Sequence, residues 1–316
     1  MFFCEERVIY KISSEENGKT VKEILRYGVG LSLAFTKQLK FLENGIMLNG
    51  KRVTVRAKVC EGDVLFLATE DVEKDGILTP TPLPLDIAYE DEYIVLPSKS
   101  AQMPTHPSHN HRGDTLADAL AYKYQEEGKP FVFRAISRLD RNTSGILLIA
   151  KDRISASHLS SAMKNGDIEK KYIAVLDGEP ADDEGTIDTY IKREAESIIF
   201  RRVCDASEGG DRAITKYTVL ARKNGYSLVL ASPITGRTHQ LRVHFAHIGA
   251  PILGDDMYGE ASPLIDRHAL HALSLTFPHP HTQERMTLCA PPCEDISRLI
   301  SMLFDSSTLD NLPITK

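Results

Sequence analysis

The chain has 316 residues, 42% of them hydrophobic, with a formal net charge of −6. That length allows one large domain plus a small one, or two of medium size, and the apolar fraction suffices for a packed core. No run approaches the roughly 18 apolar residues a bilayer crossing needs. The five scattered cysteines, Cys4, Cys60, Cys204, Cys289 and Cys293, do not make a disulfide framework.

The opening stretch MFFCEERVIYKISSEENGK lacks a basic start, a long apolar run and a small-residue cleavage site, so it reads as no signal peptide. With thiols expected to be reduced, the chain fits a cytoplasmic protein. Residues 1–70 read as a small basic α+β unit. Helix-like stretches cover Val21 to Leu25 and Leu39 to Leu42. Asn44-Gly45 and Asn49-Gly50 turns bracket Ile46-Met47-Leu48, and a final strand ends near Leu67. Residues 19–65 hold nine basic side chains, Lys51 and Arg52 among them, against four acidic ones. That local excess of +5 is the surface phosphate binding requires, whatever the whole-chain sum, although charge alone fits a merely solvated face equally.

Residues 71–85 read as a Pro-rich linker, with Pro80, Pro82 and Pro84 at alternate positions forbidding a regular helix. A mixed domain is expected over 86–304. The pattern predicts a helix capped by Asp114 and running to Tyr124, a buried strand over Gly145 to Ala150, and a helix over 153–164 ending at Asn165-Gly166. It predicts strands over Tyr172 to Leu176 and Tyr226 to Ala231, and a helix from Thr238 to Ile248. The polar end, 305–316, reads as a flexible tail.

Chemistry concentrates in a few stretches. In RAISRLDRNTSGILLIAK, Asp140 sits in a polar turn between Arg138 and Arg141, and nearby guanidinium groups favour the ionised form of a carboxylate. Such a carboxylate can act as a nucleophile, though alone it reads more simply as a turn cap. In TGRTHQLRVHFAH, Leu241, Phe245 and Ile248 recur at helical spacing, which would anchor Arg242 on a neighbouring face. In IEKKYIAVLDG, Tyr172 reads as a core aromatic or as a platform for a base. The histidines at 106, 109 and 111 and at 239, 244 and 247 make no clean ligand face, so no metal is expected.

The order and spacing of these stretches carry more than any one of them. Ser137-Arg138-Leu139-Asp140-Arg141-Asn142-Thr143-Ser144-Gly145, the run Thr235 to His244, the Lys170-x-Tyr172 strand, and Pro251 to Asp255 followed by Tyr258-Gly259 together resemble the RluA-type family of RNA pseudouridine synthases. The early segment resembles the small RNA-binding domain of ribosomal protein S-four. The resemblance spans about residues 19–285. Ser137 stands where the family usually has His, and Ser100 and Gln102 depart from its Lys-Pro-Ala-Gly.

The resemblance implies a mixed, largely antiparallel α+β catalytic domain that isomerises uridine to pseudouridine. Asp140 would be the nucleophile, at the sugar or at the base. Arg242 would pair with Asp140, and Tyr172 would pack on the target base and assist proton movement. Arg138 would help extrude the base. Arg141, Thr143, Arg237, His239, Lys51 and Arg52 are the further candidates for RNA contact. The resemblance implies no cofactor, a monomer, and ribosomal RNA as the first substrate with transfer RNA as the alternative. The rival readings are a non-catalytic RNA-binding or ribosome-assembly protein on the same fold, and a metal-dependent hydrolase using the histidines.

Overall fold

The computed structural model describes residues 2–4, 7–31, 33–68, 78–108, 110–197, 199–305 and 307–313. Residues 71–77 of the linker expected at 71–85 therefore lie outside the described residues, as do 314–316 of the tail. Residues 78–85 run as irregular chain into the first strand of the larger sheet.

The larger unit is built on a 12-stranded sheet, counted among the described residues. Its spatial order runs Arg201–Cys204, Glu184–Arg193, Asp211–Lys223, Tyr226–Pro233, Glu169–Asp177, Leu270–Pro278, Ser144–Ile146, Ile94–Lys99, Ile149–Ala150 and Arg134–Ala135, with Asp86–Glu90 and Arg285–Cys289 paired off this path. Every pairing is antiparallel except that of Ser144–Ile146 with Leu270–Pro278. The strand expected over Gly145 to Ala150 is split in two. Gly145 has φ +112°, and a Cβ there would lie 2.2 Å from the Ala272 carbonyl oxygen, so glycine alone admits this close approach of strands.

Helices cover both faces. Leu116–Glu126 begins at Thr115, not at the expected Asp114: the Thr115 hydroxyl accepts from the Asp118 amide while the Asp118 carboxylate receives the Thr115 N–H. Arg153–Asn165 is capped by Asp152 and stopped by Gly166 in the left-handed region. These two helices cover separate apolar clusters. One joins Leu159 and Ala162 to Ile146, Leu148 and Phe277; the other joins Leu116, Leu120 and Tyr124 to Val95, Leu147 and Ile149. A third core lies under Gln240–His247 and Glu294–Leu303, around Val175, Val229, Phe245 and Ile300. Tyr172 packs against both this third core and the Leu116 cluster, where the two meet. Beyond it, Ser307–Asp310 is a short helix and Leu312 is buried in the same core, so this part of the expected tail is folded.

In the N-terminal unit, the segment expected as helix over Val21 to Leu25 is a turn of α-helix, Val21–Glu23, passing into a π-turn, Ile24–Gly28. The second helix is Leu33–Leu39, ending where it was expected to begin. A five-stranded antiparallel sheet completes the unit, including Ile46–Leu48, Lys51–Arg52 and Val64–Ala68. Its core of Val21, Leu25, Leu39, Ile46, Leu65 and Leu67 includes Ile154 from the helix Arg153–Asn165. At the same contact, the His158 ring meets the Val29 carbonyl at 2.5 Å and the Pro280 carbonyl at 2.8 Å. Among the described residues, no helix is long and apolar enough to cross a membrane.

Candidate active site

A cleft of about 620 Å³ crosses the larger sheet, lined by Arg138, Asp140, Lys170, Tyr172, Arg237 and Arg242 among others. Asp140 opens a tight turn closed by the Thr143 amide donating to the Asp140 carbonyl at 3.1 Å. The carbonyls on either side are held as well. Leu139 O accepts from the Thr105 hydroxyl at 2.9 Å, Arg141 O from Lys99 Nζ at 3.0 Å, and Asn142 O from Arg267 Nη1 at 2.9 Å. Of these four consecutive carbonyls, one closes the turn and three are tied to side chains from elsewhere in the chain, which fixes the loop before any ligand arrives.

Lys99 is almost wholly buried and donates to three carbonyls, those of Ser100, Met103 and Arg141. Burial, with Arg267 nearby, pulls its ammonium down to about 7, while Asp140 acts in the opposite direction. Arg267 is also buried, pairs with Asp295 at the start of the last long helix, and donates to the Ser144 hydroxyl. Cys293 joins that cluster, 3.1 Å from Ser144 Oγ, so it is part of a buried polar network.

Arg242 is buried and pairs with Asp140 only at long range, its closer partner being Asp255. Its Nε and Nη2 grip Asp255 at 2.7 and 2.6 Å, and its Nη1 stands 3.8 Å from Asp140 Oδ2. Burial alone would raise the Asp255 carboxyl; the Arg242 hydrogen bonds overcome it and hold Asp255 below the usual carboxylate range. Arg242 thereby presents a fixed cation to the Asp140 side of the cleft. Asp255 belongs to the Pro251–Asp255 match, yet nothing in two adjacent aspartates says which one reaches back thirteen residues to a helix.

The helix Gln240–His247 starts two residues later than expected because His239 takes φ +58°, a left-handed conformation uncommon for a side-chain-bearing residue. The turn aims the ring at Asp140, with Nε2 3.9 Å from Oδ2. His239 Nδ1 lies 2.8 Å from the Tyr258 hydroxyl, which accepts the Arg201 amide at 3.0 Å. The contact ties the imidazole to Tyr258 through Nδ1 and leaves Nε2 as the ring nitrogen that faces the Asp140 carboxylate. Burial lowers the His239 pKa, with Asp140 opposing and Arg242 adding, which keeps the ring neutral near pH 7.

Tyr172 and Lys170 share one face of Glu169–Asp177 and both line the cleft; the pairing with Leu270–Pro278 shifts register between Lys171 and Tyr172, where Leu273 is the extra residue on the partner strand. Burial, with Asp140 nearby, raises the Tyr172 phenol well above its ordinary value, so it is present as the neutral O–H. Burial lowers the Lys170 ammonium, and Lys170 was read from the sequence only as part of a matching strand.

The remaining candidates divide. Arg138, Arg237 and His239 line the cleft together with Asp140, Tyr172 and Arg242. Thr143 lines it too but is buried, its hydroxyl 2.8 Å from His268 Nε2. Arg141 points away, its Nε donating to the Gln102 carbonyl. Lys51 and Arg52 lie exposed on the N-terminal sheet, outside the cleft. Among the described residues no cluster of His, Cys, Asp and Glu has the arrangement of a metal site. His106 packs edge-on against Phe133, and His244 bonds Thr189 and Thr215.

A mixed, largely antiparallel sheet crossed by a cleft with arginines at its rim is the fold of the pseudouridine synthases, and known proteins agree. A family model for RNA pseudouridylate synthases matches residues 93–247. The chain is 39% identical over 281 residues to the uncharacterised RNA pseudouridine synthase YjbO of Bacillus subtilis, covering 89% of this chain and 98% of that protein. It is 31% identical over 281 residues to the ribosomal large subunit pseudouridine synthase D of Xylella fastidiosa, covering 84% and 82%. The solved structure of human RNA Pseudouridylate Synthase Domain Containing 1 superimposes with a TM-score of 0.58 at 27% identity, over 74% of this chain and 97% of that one. The chain belongs to the RluA-type family of RNA pseudouridine synthases, as its motifs led one to expect.

Proposed function

We propose that this synthase isomerises specific uridines of large-subunit ribosomal RNA, with Asp140 as nucleophile and no cofactor. The observation that carries the assignment of Asp140 is its placement: a partly exposed carboxylate on a loop tied at four carbonyls, facing Arg242 at 3.8 Å and His239 at 3.9 Å within the cleft. A cation and the His239 ring on one side leave the other side of the carboxylate open to substrate. Asp140 adds either to the anomeric carbon or to the uracil ring. The carbon–nitrogen bond breaks, the base turns, and a carbon–carbon bond forms as the bond to Asp140 breaks and its carboxylate is regenerated. Carbon five loses a proton to solvent and the freed ring nitrogen takes one up, so the isomerisation is balanced and redox-neutral. Tyr172, a neutral phenol, packs on the base and stays available to hold or pass a proton.

Residues 1–70 supply a basic RNA-binding unit like that of ribosomal protein S-four, using Lys51 and Arg52, and join through 71–85 to a catalytic domain at 86–304. Relatives named as large-subunit ribosomal synthases favour ribosomal RNA over transfer RNA. We take the protein to act as a monomer in the cytoplasm. The test is release of tritium from RNA labelled at carbon five of uracil, with ribosomal and transfer RNA offered separately to wild type and Asp140→Ala. Release from ribosomal RNA that the substitution abolishes is expected. Release surviving in Asp140→Ala would overturn the nucleophile, and release from transfer RNA alone would overturn the substrate.

A further inference from the structure

Charged side chains are seldom buried without a partner, because leaving water costs an ion more than it costs a neutral group. Among the described residues four lysine or arginine side chains are buried: Lys99, Lys170, Arg242 and Arg267. Three are provided for within the chain. Lys99 donates to three carbonyls, Arg242 grips Asp255, and Arg267 pairs with Asp295. Lys170 is the exception. Only 9% of it is exposed, and among the described residues its ammonium has no hydrogen-bond acceptor and no ion-pair partner. The adjacent Glu169 lies on the other face of the strand and pairs with Arg285. Yet the ammonium is not sealed in: Lys170 lines the catalytic cleft, and its Nζ is not among the fully enclosed polar atoms that lack a partner.

Gly236, also in the cleft lining, leaves that tip uncovered. A Cβ built there would meet nothing closer than Lys170 Nζ, at 3.6 Å, and Gly236 is absent from the residues with positive φ. Neither packing nor backbone conformation calls for glycine; a larger side chain would stand over the ammonium. The lining as a whole sets one carboxylate, Asp140, against Arg138, Lys164, Lys170, Arg237 and Arg242, so an anion entering the cleft meets net positive charge.

The position of Lys170 indicates which anion. It stands two residues before Tyr172 on the same face, about 7 Å away along the strand, and Tyr172 is the residue read as packing on the base. Asp140 perturbs the titration of Tyr172, His239 and Arg242, whereas burial alone perturbs that of Lys170. Lys170 is thus set apart from the carboxylate that attacks the nucleoside, on the side where the sugar–phosphate chain has to leave the cleft. We propose that Lys170 is a binding residue whose ammonium, left unpaired by the protein, receives a phosphodiester of the RNA strand beside the target uridine. The proposal rests on the reading that the cleft receives a uridine from RNA. A phosphate passing over the bare backbone of Gly236 would supply the counter-charge that the fold withholds. Binding RNA and relieving a buried charge would then be one event, and the free protein would carry the cost of that charge until substrate arrives.

The test uses the full-length protein with Lys170→Met, which keeps most of the apolar stem and removes the charge. The control is Lys171→Met, the neighbouring lysine on the opposite face of the strand and outside the cleft lining. The probe is a short fluorescein-labelled stem-loop RNA with a uridine-rich loop, titrated by anisotropy from low to moderate salt. Each lost phosphate contact to single-stranded RNA lowers the slope of log K against log salt by about 0.7. Lys170→Met is expected to lose about that much slope, bind several-fold more weakly, and raise KM for ribosomal RNA while sparing kcat. Its Tm without RNA should rise, because an unpaired buried charge has gone, whereas removing a structural lysine would lower Tm. Lys171→Met should leave slope and KM unchanged. An unchanged slope in Lys170→Met, an equal loss in Lys171→Met, or a lowered Tm in Lys170→Met would overturn the proposal. A fall in kcat with no change in slope would place the ammonium on the base and overturn it too. Failure of the functional reading shows separately: a wild type that releases no tritium while Lys170→Met still loses slope retains the phosphate contact and loses the assigned reaction.

Discussion

Replacing Asp255 by Asn isolates the pair that fixes Arg242. The substitution keeps the shape of the side chain and one carbonyl oxygen, but turns the other oxygen into an NH2 that faces a guanidinium N–H. Both partners are buried, so water does not take over the lost role. Removing one member of a buried ion pair costs about 3–5 kcal/mol, and the surviving acceptor places Asn near the lower end. In a catalytic unit of this size each kcal/mol moves Tm by roughly 2–4 °C, so the drop should be about 6–12 °C. Arg242, released from Asp255, has the Asp140 carboxylate as its next anion, 3.8 Å away. Closing that gap would neutralise and misdirect the nucleophile, and kcat should fall at least about tenfold, equivalent to roughly 1.4 kcal/mol of barrier. Thermal unfolding by circular dichroism and single-turnover tritium release read the two effects. The double variant Asp255→Leu/Arg242→Met should regain stability without regaining turnover, because an apolar pair carries no buried charge. A Tm within about 2 °C of wild type together with an unchanged kcat in Asp255→Asn would refute the claim that this pair holds Arg242 in place.

Lys99→Met leaves three carbonyls without their donor, Arg141 O among them; it should cost about 2–4 kcal/mol in urea unfolding and lower kcat without raising the Kd for RNA. Full turnover in that variant would mean the loop does not need the clamp. Gly145→Ala places a methyl 2.2 Å from the Ala272 carbonyl and should prevent a stable fold, whereas Gly236→Ala should match wild type in Tm; similar melting curves for the two would contradict the packing described. His244, His268 and His271 are buried, and burial lowers them to about 4, 3 and 4, so they are neutral in the folded state at pH 7 while their unfolded forms take up protons below about 6.5. Stability should therefore fall as pH drops from about 6.5 towards 4, by on the order of 2 kcal/mol per histidine at pH 5. A urea midpoint unchanged between pH 7 and pH 5 would rule this out.

How far the sequence speaks depends on the range of the interaction. Asp140, Tyr172 and Arg242 stood out through the order and spacing of the stretches that hold them, which carry the family resemblance, and the cleft brings all three together. The antiparallel character came with the family resemblance, since no local pattern says which strands pair. Partnerships were not. Arg242 meets Asp255 only after the chain has turned back, and no periodicity separates Asp255 from Asp256. Lys99 and Arg267 hold the Asp140 loop from 42 and 125 residues away, through backbone carbonyls that any residue would supply. Helix ends moved for local reasons: Thr115 outcompetes Asp114 because Asp118 closes its capping box, and His239 delays the next helix by turning left-handed. The stretch 307–312 looked too polar to fold, but Leu309 and Leu312 seat it on the core.

The placement of Ile154 in the core of the N-terminal unit bears on how the chain matures. On a ribosome the basic unit emerges first, yet its apolar interior stays open until more than eighty further residues follow its last strand and the helix Arg153–Asn165 is delivered. The catalytic sheet waits longer, because Ser144–Ile146 pairs in parallel with Leu270–Pro278, a strand made more than a hundred residues later. An RNA-binding surface and a competent cleft are thus completed late and in order, by segments that each supply a missing wall to one translated earlier.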